Sequence, residues 1–197
     1  MKVHNSLKRL FVSQTRLKLL NIFFCSPKEI FYVRQLVRLS EEEINSVRRE
    51  LENLKSAGIV LFEWRGNRLF YWANPNCPLY LDLLVIASKN SGLGRNLSER
   101  SPKSGSIKLL LYSYKFISRE EKKPDDIDLI VIGDISIREI EEHIKAVESE
   151  HHQEINYMVM SKAEFQMRKQ KRDPFLIDFF LNCPAVIIGS PQDVINT

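Results

Sequence analysis

Two carboxylates come just before an apolar run in the segment PDDIDLIVIGD, residues 124–134. Asp126 and Asp128 are two residues apart, so on a strand their side chains point to the same face of the sheet. Carboxylates so close together repel each other unless a positive charge lies between them, and Mg²⁺ prefers oxygen ligands. The pair therefore predicts either a metal site for phosphoryl chemistry or a strand that merely begins at the surface.

A second group of residues has the side chains that bind nucleic acid. The segment EEEINSVRRELENLKSAG predicts a helix whose buried stripe is Ile44, Val47, Leu51 and Leu54. The other face of this helix and the turn that follows it present Asn45, Ser46, Arg48, Arg49, Lys55, Arg65, Asn67 and Arg68. Arg and Asn form paired hydrogen bonds with guanine and adenine edges, so we expect DNA contacts here. The alternative is the solvated face of an amphipathic helix, which the glutamates of the segment favour.

Helices followed by a hairpin must position these residues. Apolar spacing predicts helices over residues 13–25 and 32–39, and Ser40 with Glu43 predicts a capping box that begins the third helix. The β-rich runs 59–64 and 69–72 flank Arg65-Gly66-Asn67-Arg68, where Gly and Asn tolerate positive φ and predict a hairpin turn. Three helices and a hairpin predict a winged helix-turn-helix domain over residues 1–76, of the α+β class.

A connector is predicted over residues 77–104. Its first part, LYLDLLVIA, is apolar nearly all round and predicts a helix buried either within the chain or between the subunits of a homodimer. The Ser- and Gly-rich residues 88–106 predict a linker. Strands and helices then alternate through residues 105–197, which predicts a small α/β domain with a mixed sheet.

The whole pattern resembles a known family. VRRELENLKSAGIV, the basic hairpin and YWANPNCPLYLDL resemble the winged-helix part of prokaryotic regulator-like proteins, in which an ArsR/MarR-like domain precedes a minimal nucleotidyltransferase-like domain. The second half, through Asp126-Ile127-Asp128-Leu129, is similar to the minimal nucleotidyltransferases of the DNA polymerase β superfamily. This resemblance implies that Asp126, Asp128 and Glu154 are catalytic ligands of Mg²⁺, and that Ser113 contacts the nucleotide. Tyr112 replaces the Gly of the family's Gly-Ser turn, so that turn is degenerate.

Three functions are consistent with these features. The first is a DNA-binding transcriptional regulator whose second domain is a degenerate nucleotidyltransferase fold that binds nucleotide or metal. The second is an active Mg²⁺-dependent nucleotidyltransferase that modifies a nucleic acid or a protein. The third is a protein-interaction module. The partners expected for a regulator are double-stranded DNA, an NTP and a second copy of the chain.

Charge and hydropathy narrow the class of protein. Residues 1–100 contain 16 Lys and Arg against 9 Asp and Glu, whereas residues 101–197 contain 13 against 16. The basic half suits a polyanionic partner. No apolar run approaches the roughly 18 residues of a membrane span, and the three cysteines form no CxxC pair. We therefore expect a cytoplasmic protein that does not bind membranes.

Overall fold

The chain divides into two compact units, Met1–Ser91 and Gly92–Thr197, which are described separately. The structure is a computed structural model that describes residues 5–100, 107–151 and 154–192. It is mixed α/β, with a three-stranded sheet in the first unit and a four-stranded sheet in the second. None of the helices in these ranges is both long enough and apolar enough to cross a membrane.

The first unit packs four helices and a small antiparallel sheet around an apolar core, with a further short helix at its start. Its elements are α1 (Asn5–Leu10), α2 (Gln14–Cys25), β1 (Phe31–Tyr32), α3 (Val33–Ser40), α4 (Ile44–Ser56), β2 (Val60–Arg65), β3 (Arg68–Ala73) and α5 (Tyr80–Asn90). The helix α4 buries Val47, Leu51 and Leu54, as the sequence predicted, whereas Ile44, the first residue of the predicted stripe, is only half-buried. Burial of each such side chain contributes about 1.5–3 kcal/mol, so this stripe fixes the rotation of α4 about its axis.

The start of α4 differs from the predicted capping box. Ser40 is the last residue of α3 and is buried, while Glu41 adopts a left-handed conformation with φ of 54° that ends α3. The N-cap of α4 is Glu43, whose carboxylate accepts hydrogen bonds from the backbone N–H groups of Asn45 and Ser46. A Glu side chain is long enough to reach back to these N–H groups, which would otherwise lack partners.

The predicted hairpin is confirmed. Arg65 and Arg68 are paired across a two-residue turn, and Gly66 has φ of +59°, a conformation that favours glycine. The strand order is β1-β3-β2, so β2 lies at an edge of the sheet. Residues two apart on β2 share a face, and Val60, Phe62 and Trp64 therefore form one row that runs from the core outward.

The second unit is built on a mixed sheet. Its elements are α6 (Gly92–Arg100), β4 (Ile107–Tyr112), α7 (Tyr114–Ser118), β5 (Leu129–Gly133), α8 (Ile137–His151), β6 (Tyr157–Met160), α9 (Lys162–Gln170), α10 (Pro174–Leu181) and β7 (Ala185–Gly189). The strand order is β6-β5-β4-β7, in which β5 and β6 are parallel and the other pairs are antiparallel. Every residue of β5 is buried, as expected for a central strand covered on both faces.

The predicted linker is partly helical. Residues 92–100 form α6, and Leu93 and Leu97 are both buried on one face of that helix. This i, i+4 pair supplies the apolar contact that the Gly- and Ser-rich composition concealed. Residues 101–106 of the predicted linker lie outside the described residues.

The position of the N-cap leads to a stability prediction. Replacing Glu43 with Ala removes the acceptor for two N–H groups, and we expect the free energy of unfolding to fall by about 1 kcal/mol. Urea unfolding followed by circular dichroism measures this change. The control is Glu43→Ser, which restores a short N-cap acceptor and should recover most of the loss. Equal stability of Glu43→Ala and the unmodified protein would contradict the assignment.

Candidate functional site

A groove in the first unit lies between α3, α4 and the hairpin. It has a volume of about 890 Å³. We call it the arginine groove, and its lining residues are Tyr32, Val33, Arg34, Ile44, Arg48, Glu52, Trp64, Asn67, Arg68, Leu69 and Tyr71. Three arginines from three different elements thus meet beside several aromatic side chains. The fold brings them together because α4 and the hairpin both pack on α3 through their apolar faces.

The arginines of the groove have no carboxylate partner within the described parts of the chain. Arg34, Arg48 and Arg68 are exposed, and none of them makes an ion pair there. Arg68 instead stacks over the ring of Tyr32, with its guanidinium carbon 5.4 Å from the ring centroid. Among the described residues, Glu52 is the only acid that lines the groove, and its Oε1 lies 2.7 Å from Lys55 Nζ. The groove therefore has three guanidinium groups available to an anion.

Other basic residues of the first unit are bound to carboxylates. Arg16 Nε lies 2.8 Å from Glu50 Oε2, and Lys18 Nζ lies 2.7 Å from Glu42 Oε1. Burial alone would raise the pKa of Glu50, but hydrogen bonds from Arg16 and Asn53 outweigh burial and lower that pKa. These pairs join α2 to neighbouring parts of the chain, so their cations serve packing and are not available to a polyanion.

The structure divides the predicted DNA-binding residues into three sets. Arg48, Asn67 and Arg68 line the arginine groove. Asn45 and Arg49 are exposed on α4 outside the groove lining, and Ser46 is half-buried beside the Glu43 cap. The cations of Lys55 and Arg65 are bound by Glu52 and Glu63, at 2.7 Å and 2.6 Å. The third set therefore contributes less free positive charge than the sequence suggested.

Arg34, Trp64 and Tyr32 line the groove but were not among the residues predicted to contact DNA. Arg34 belongs to α3, and its position opposite α4 depends on the packing of the two helices. Trp64 is 65% exposed, although it lies in the same row of β2 as the buried Val60. Tyr32 precedes α3 and receives a hydrogen bond from Arg38 at 3.2 Å. Alternation along β2 puts Trp64 on the core-facing row with Val60, so its exposure in the groove could not be read from the sequence.

The predicted placement of Asp126 and Asp128 on one strand face is wrong. The strand β5 begins at Leu129, so both carboxylates lie in the segment that precedes it. Asp126 Oδ2 accepts hydrogen bonds from Lys115 Nζ at 2.8 Å and from the backbone N–H of Lys123 at 3.0 Å. The hydrogen bond from Lys115 and then that from Lys123 lower the pKa of Asp126 below its ordinary value.

Asp128 forms a separate, buried ion pair. Its side chain is fully buried, and Oδ2 accepts hydrogen bonds from Lys122 Nζ and from the backbone N–H of Asn156, the latter at 2.8 Å. Lys122 Nζ also donates to the backbone carbonyl of Glu154 at 2.8 Å. The other oxygen, Oδ1, has no hydrogen-bond partner in the described residues. The ammonium of Lys122 therefore compensates a carboxylate that burial would otherwise disfavour.

Ser113, which was predicted to contact a nucleotide, is the N-cap of α7. Ser113 Oγ accepts a hydrogen bond from the backbone N–H of Phe116 at 3.2 Å and so begins α7. Tyr112 directs its side chain into the core and packs on Phe116 with ring centroids 5.3 Å apart. Burial raises the pKa of the Tyr112 hydroxyl. The backbone of this turn therefore forms the end of β4 and the start of α7.

A cleft of about 220 Å³ lies beside Ser113 and Asp126. Neither Asp128 nor Glu154 lines it. Among the described residues, the charged side chains that line it are Lys115, Glu120, Asp125, Asp126 and Asp178. Four carboxylates and one ammonium give this cleft a negative charge, which opposes the binding of a triphosphate.

The donor set does not fit a divalent cation. Within the described residues, no group of three or more His, Cys, Asp or Glu side chains is placed to bind a metal ion. Lysine ammonium groups occupy Oδ2 of both aspartates, and Glu154 contacts Lys122 through its backbone carbonyl. Mg²⁺ requires several oxygen ligands at about 2.1 Å in octahedral geometry, which separate lysine-paired carboxylates do not supply.

Comparison with known proteins identifies no relative. No protein-family model, curated protein or solved structure matches the chain significantly. What the protein does must therefore be inferred from the side chains of the arginine groove and of the lysine-paired aspartates.

The buried ion pair leads to a second prediction. Lys122→Met leaves the carboxylate of Asp128 buried without its counter-ion, and we expect a loss of about 3–5 kcal/mol in the free energy of unfolding. The double variant Lys122→Met/Asp128→Asn removes both charges and should recover part of that loss. Urea unfolding of Lys122→Met, of Asp128→Asn and of the double variant measures the coupling between the two charges.

The matched control for this experiment is Lys115→Met, which breaks the pair with Asp126. That pair is partly exposed to water, so its loss should cost much less than the loss of the buried pair. Equal costs for the two lysine substitutions would contradict the different roles assigned to the two pairs.

Proposed function

We propose that the protein is a DNA-binding transcriptional regulator, in which a winged helix-turn-helix domain precedes a degenerate nucleotidyltransferase-like domain. The observation that supports this function best is the arginine groove, where Arg34, Arg48 and Arg68 lie without carboxylate partners in the described chain. Unpaired guanidinium groups on one side of a domain attract a polyanion, and they release its condensed counter-ions on binding.

The helix α4 is the element that we propose to enter the major groove. Its apolar stripe packs on the domain, which leaves Asn45, Arg48 and Arg49 on the exposed face. Arg reads guanine and Asn reads adenine through paired hydrogen bonds, so these side chains are suited to direct base contacts. The tip of the hairpin, with Asn67 and Arg68, is then placed to contact the backbone or the adjacent minor groove.

The proposed regulator acts as a homodimer on double-stranded DNA. The helix α5 packs on α2 and buries Leu83, Leu84 and Ala87 within its own chain. Leu79 and Leu81 remain 53% and 50% exposed at the start of this segment. A two-fold axis beside them would bury these leucines and place two copies of α4 on successive half-sites.

The second unit serves this regulator as a binding or assembly domain without transfer chemistry. Three features support this role: Lys122 and Lys115 neutralise the two aspartates, Tyr112 fills the position of the flexible glycine, and the neighbouring cleft is acidic. The lysine pairing opposes the binding of a metal ion, the tyrosine opposes a close approach of phosphates to the backbone, and the acidic cleft repels a triphosphate that brings no cation. The opposing possibility is an active nucleotidyltransferase.

The proposed recognition helix leads to a third prediction. The double variant Arg48→Ala/Arg49→Ala should lose about tenfold or more in affinity for duplex DNA, because each arginine contributes a hydrogen-bonded or ionic contact. Fluorescence anisotropy with duplexes selected from a random-sequence pool measures the affinity. The control is Arg138→Ala, an exposed arginine of α8 in the other unit. Unchanged duplex affinity in the double variant would rule out the assignment of α4.

The lysine-paired aspartates lead to a fourth prediction. Protein incubated with each α-labelled NTP, a divalent cation and a cell extract should transfer no label to protein or nucleic acid. Parallel reactions contain the variants Asp126→Asn and Ser113→Ala, which should be indistinguishable from the unmodified protein. Label transfer that disappears in Asp126→Asn would establish the protein as an active nucleotidyltransferase and contradict the degenerate site.

A further inference from the structure

We infer that the arginine groove accepts an unstacked base of a DNA strand, with Trp64 as the platform on which the base stacks. The inference rests on the proposed DNA-binding function and specifies the form of DNA that the groove fits. It predicts that the protein binds single-stranded or locally unpaired DNA in addition to regular duplex.

Trp64 is exposed at a position where the fold could have buried it. It lies on the core-facing row of β2, opposite Leu69 on β3, and at the outer end of that row it lines the groove. Its 65% exposure is the largest among the aromatic side chains of the hairpin, compared with 45% for Phe62. Phe62 is covered on one side by Lys55, whose Nζ lies 4.8 Å from the ring centroid. Trp64 has no corresponding cation–π or ring contact among the described residues.

The arginines that line the groove together with Trp64 favour a polyanion as the partner. Arg34, Arg48 and Arg68 belong to α3, α4 and β3, and all three line the same groove as the indole ring. A nucleic acid strand alternates flat bases with phosphates, and this combination of an aromatic face and arginines matches both parts. An apolar peptide would pack against the indole ring but would leave three guanidinium groups without partners.

Regular duplex DNA does not offer a base face to Trp64. In a duplex the bases are stacked on each other, and a groove-bound protein meets only their edges. An indole ring gains stacking energy only when a base leaves the stack, as it does in a single strand, a bulge or a mismatched bubble. The volume of about 890 Å³ leaves room for such a base between α4 and the hairpin.

Fluorescence tests this inference directly, because the chain has two tryptophans. Trp72 pairs with Leu61 and faces the opposite side of the sheet from Trp64. In a full-length Trp72→Phe protein, tryptophan emission comes from Trp64 alone. Titration with a single strand of thymidine nucleotides should quench this emission. An abasic strand with the same number of phosphates is the matched control, and it should bind at least about fivefold more weakly with little quenching.

Affinity measurements with a Trp64→Ala protein separate stacking from charge. We expect Trp64→Ala to bind a bubble-containing duplex about fivefold or more weakly, whereas its affinity for the fully paired duplex should stay within about twofold. Trp64→Phe, which keeps an aromatic face, should recover part of the bubble affinity. Circular dichroism of each variant verifies that the first unit remains folded.

The outcomes distinguish this inference from the function on which it rests. Equal binding of the thymidine and abasic strands, or equal loss on bubble and duplex in Trp64→Ala, overturns base stacking but leaves duplex binding intact. The same strand in its ribose form serves as a further arm, and tighter binding of RNA than of DNA overturns DNA as the partner. Failure to bind every nucleic acid overturns both the stacking site and the proposed regulator.

Discussion

The rotation of α4 about its own axis is the constraint on which the proposed DNA-binding surface depends. Val47, Leu51 and Leu54 are packed into the core of the first unit, so the helix cannot turn without exposing them. Glu50 adds a second restraint, because its buried carboxylate binds Arg16 of α2. With these contacts fixed, Arg48 can only point outward, toward the hairpin. The same apolar contacts that stabilise the unit therefore decide which arginine remains available to a partner.

Charge pairing gives the two faces of the first unit different roles. Carboxylates on α4 and before it neutralise Arg16 and Lys18, and they do so where the elements pack together. The glutamates in and before this helix, which by sequence weakened its basic character, therefore mostly form ion pairs within the unit or cap the helix. Positive charge is left at the groove. In the second unit the same kind of pairing has the opposite consequence, because Lys122 and Lys115 occupy the carboxylates that would have to bind a metal.

Local patterns were sufficient to predict many of the elements but not their side-chain partners. The stripe on α4 and the Gly66-Asn67 turn follow from helical period and from the conformational freedom of glycine. The cap at Glu43 was missed, because Ser40 is the better N-cap by residue type but is buried in α3. Only the tertiary path of the chain places Lys122 against Asp128, since the loop between them folds back onto the start of β6.

The groove itself could not be predicted from the sequence. Arg34, Arg48 and Trp64 are separated in the chain and belong to three different elements, so their proximity is a result of packing. Arg48 could be predicted because it lies on the exposed face of an amphipathic helix. Its rank above Arg65 and Lys55 could not, since that rank depends on which arginine or lysine has a carboxylate within reach.

The salt dependence of DNA binding tests the central claim most directly. The affinity of the unmodified protein for duplex DNA is measured at increasing salt and compared with that of Arg34→Ala/Arg48→Ala/Arg68→Ala. Each lost phosphate contact reduces the slope of log affinity against log salt by about 0.9, so the account predicts a slope shallower by about two or more. A triple variant that binds duplex DNA with the same affinity and the same slope would show that the groove arginines do not contact DNA.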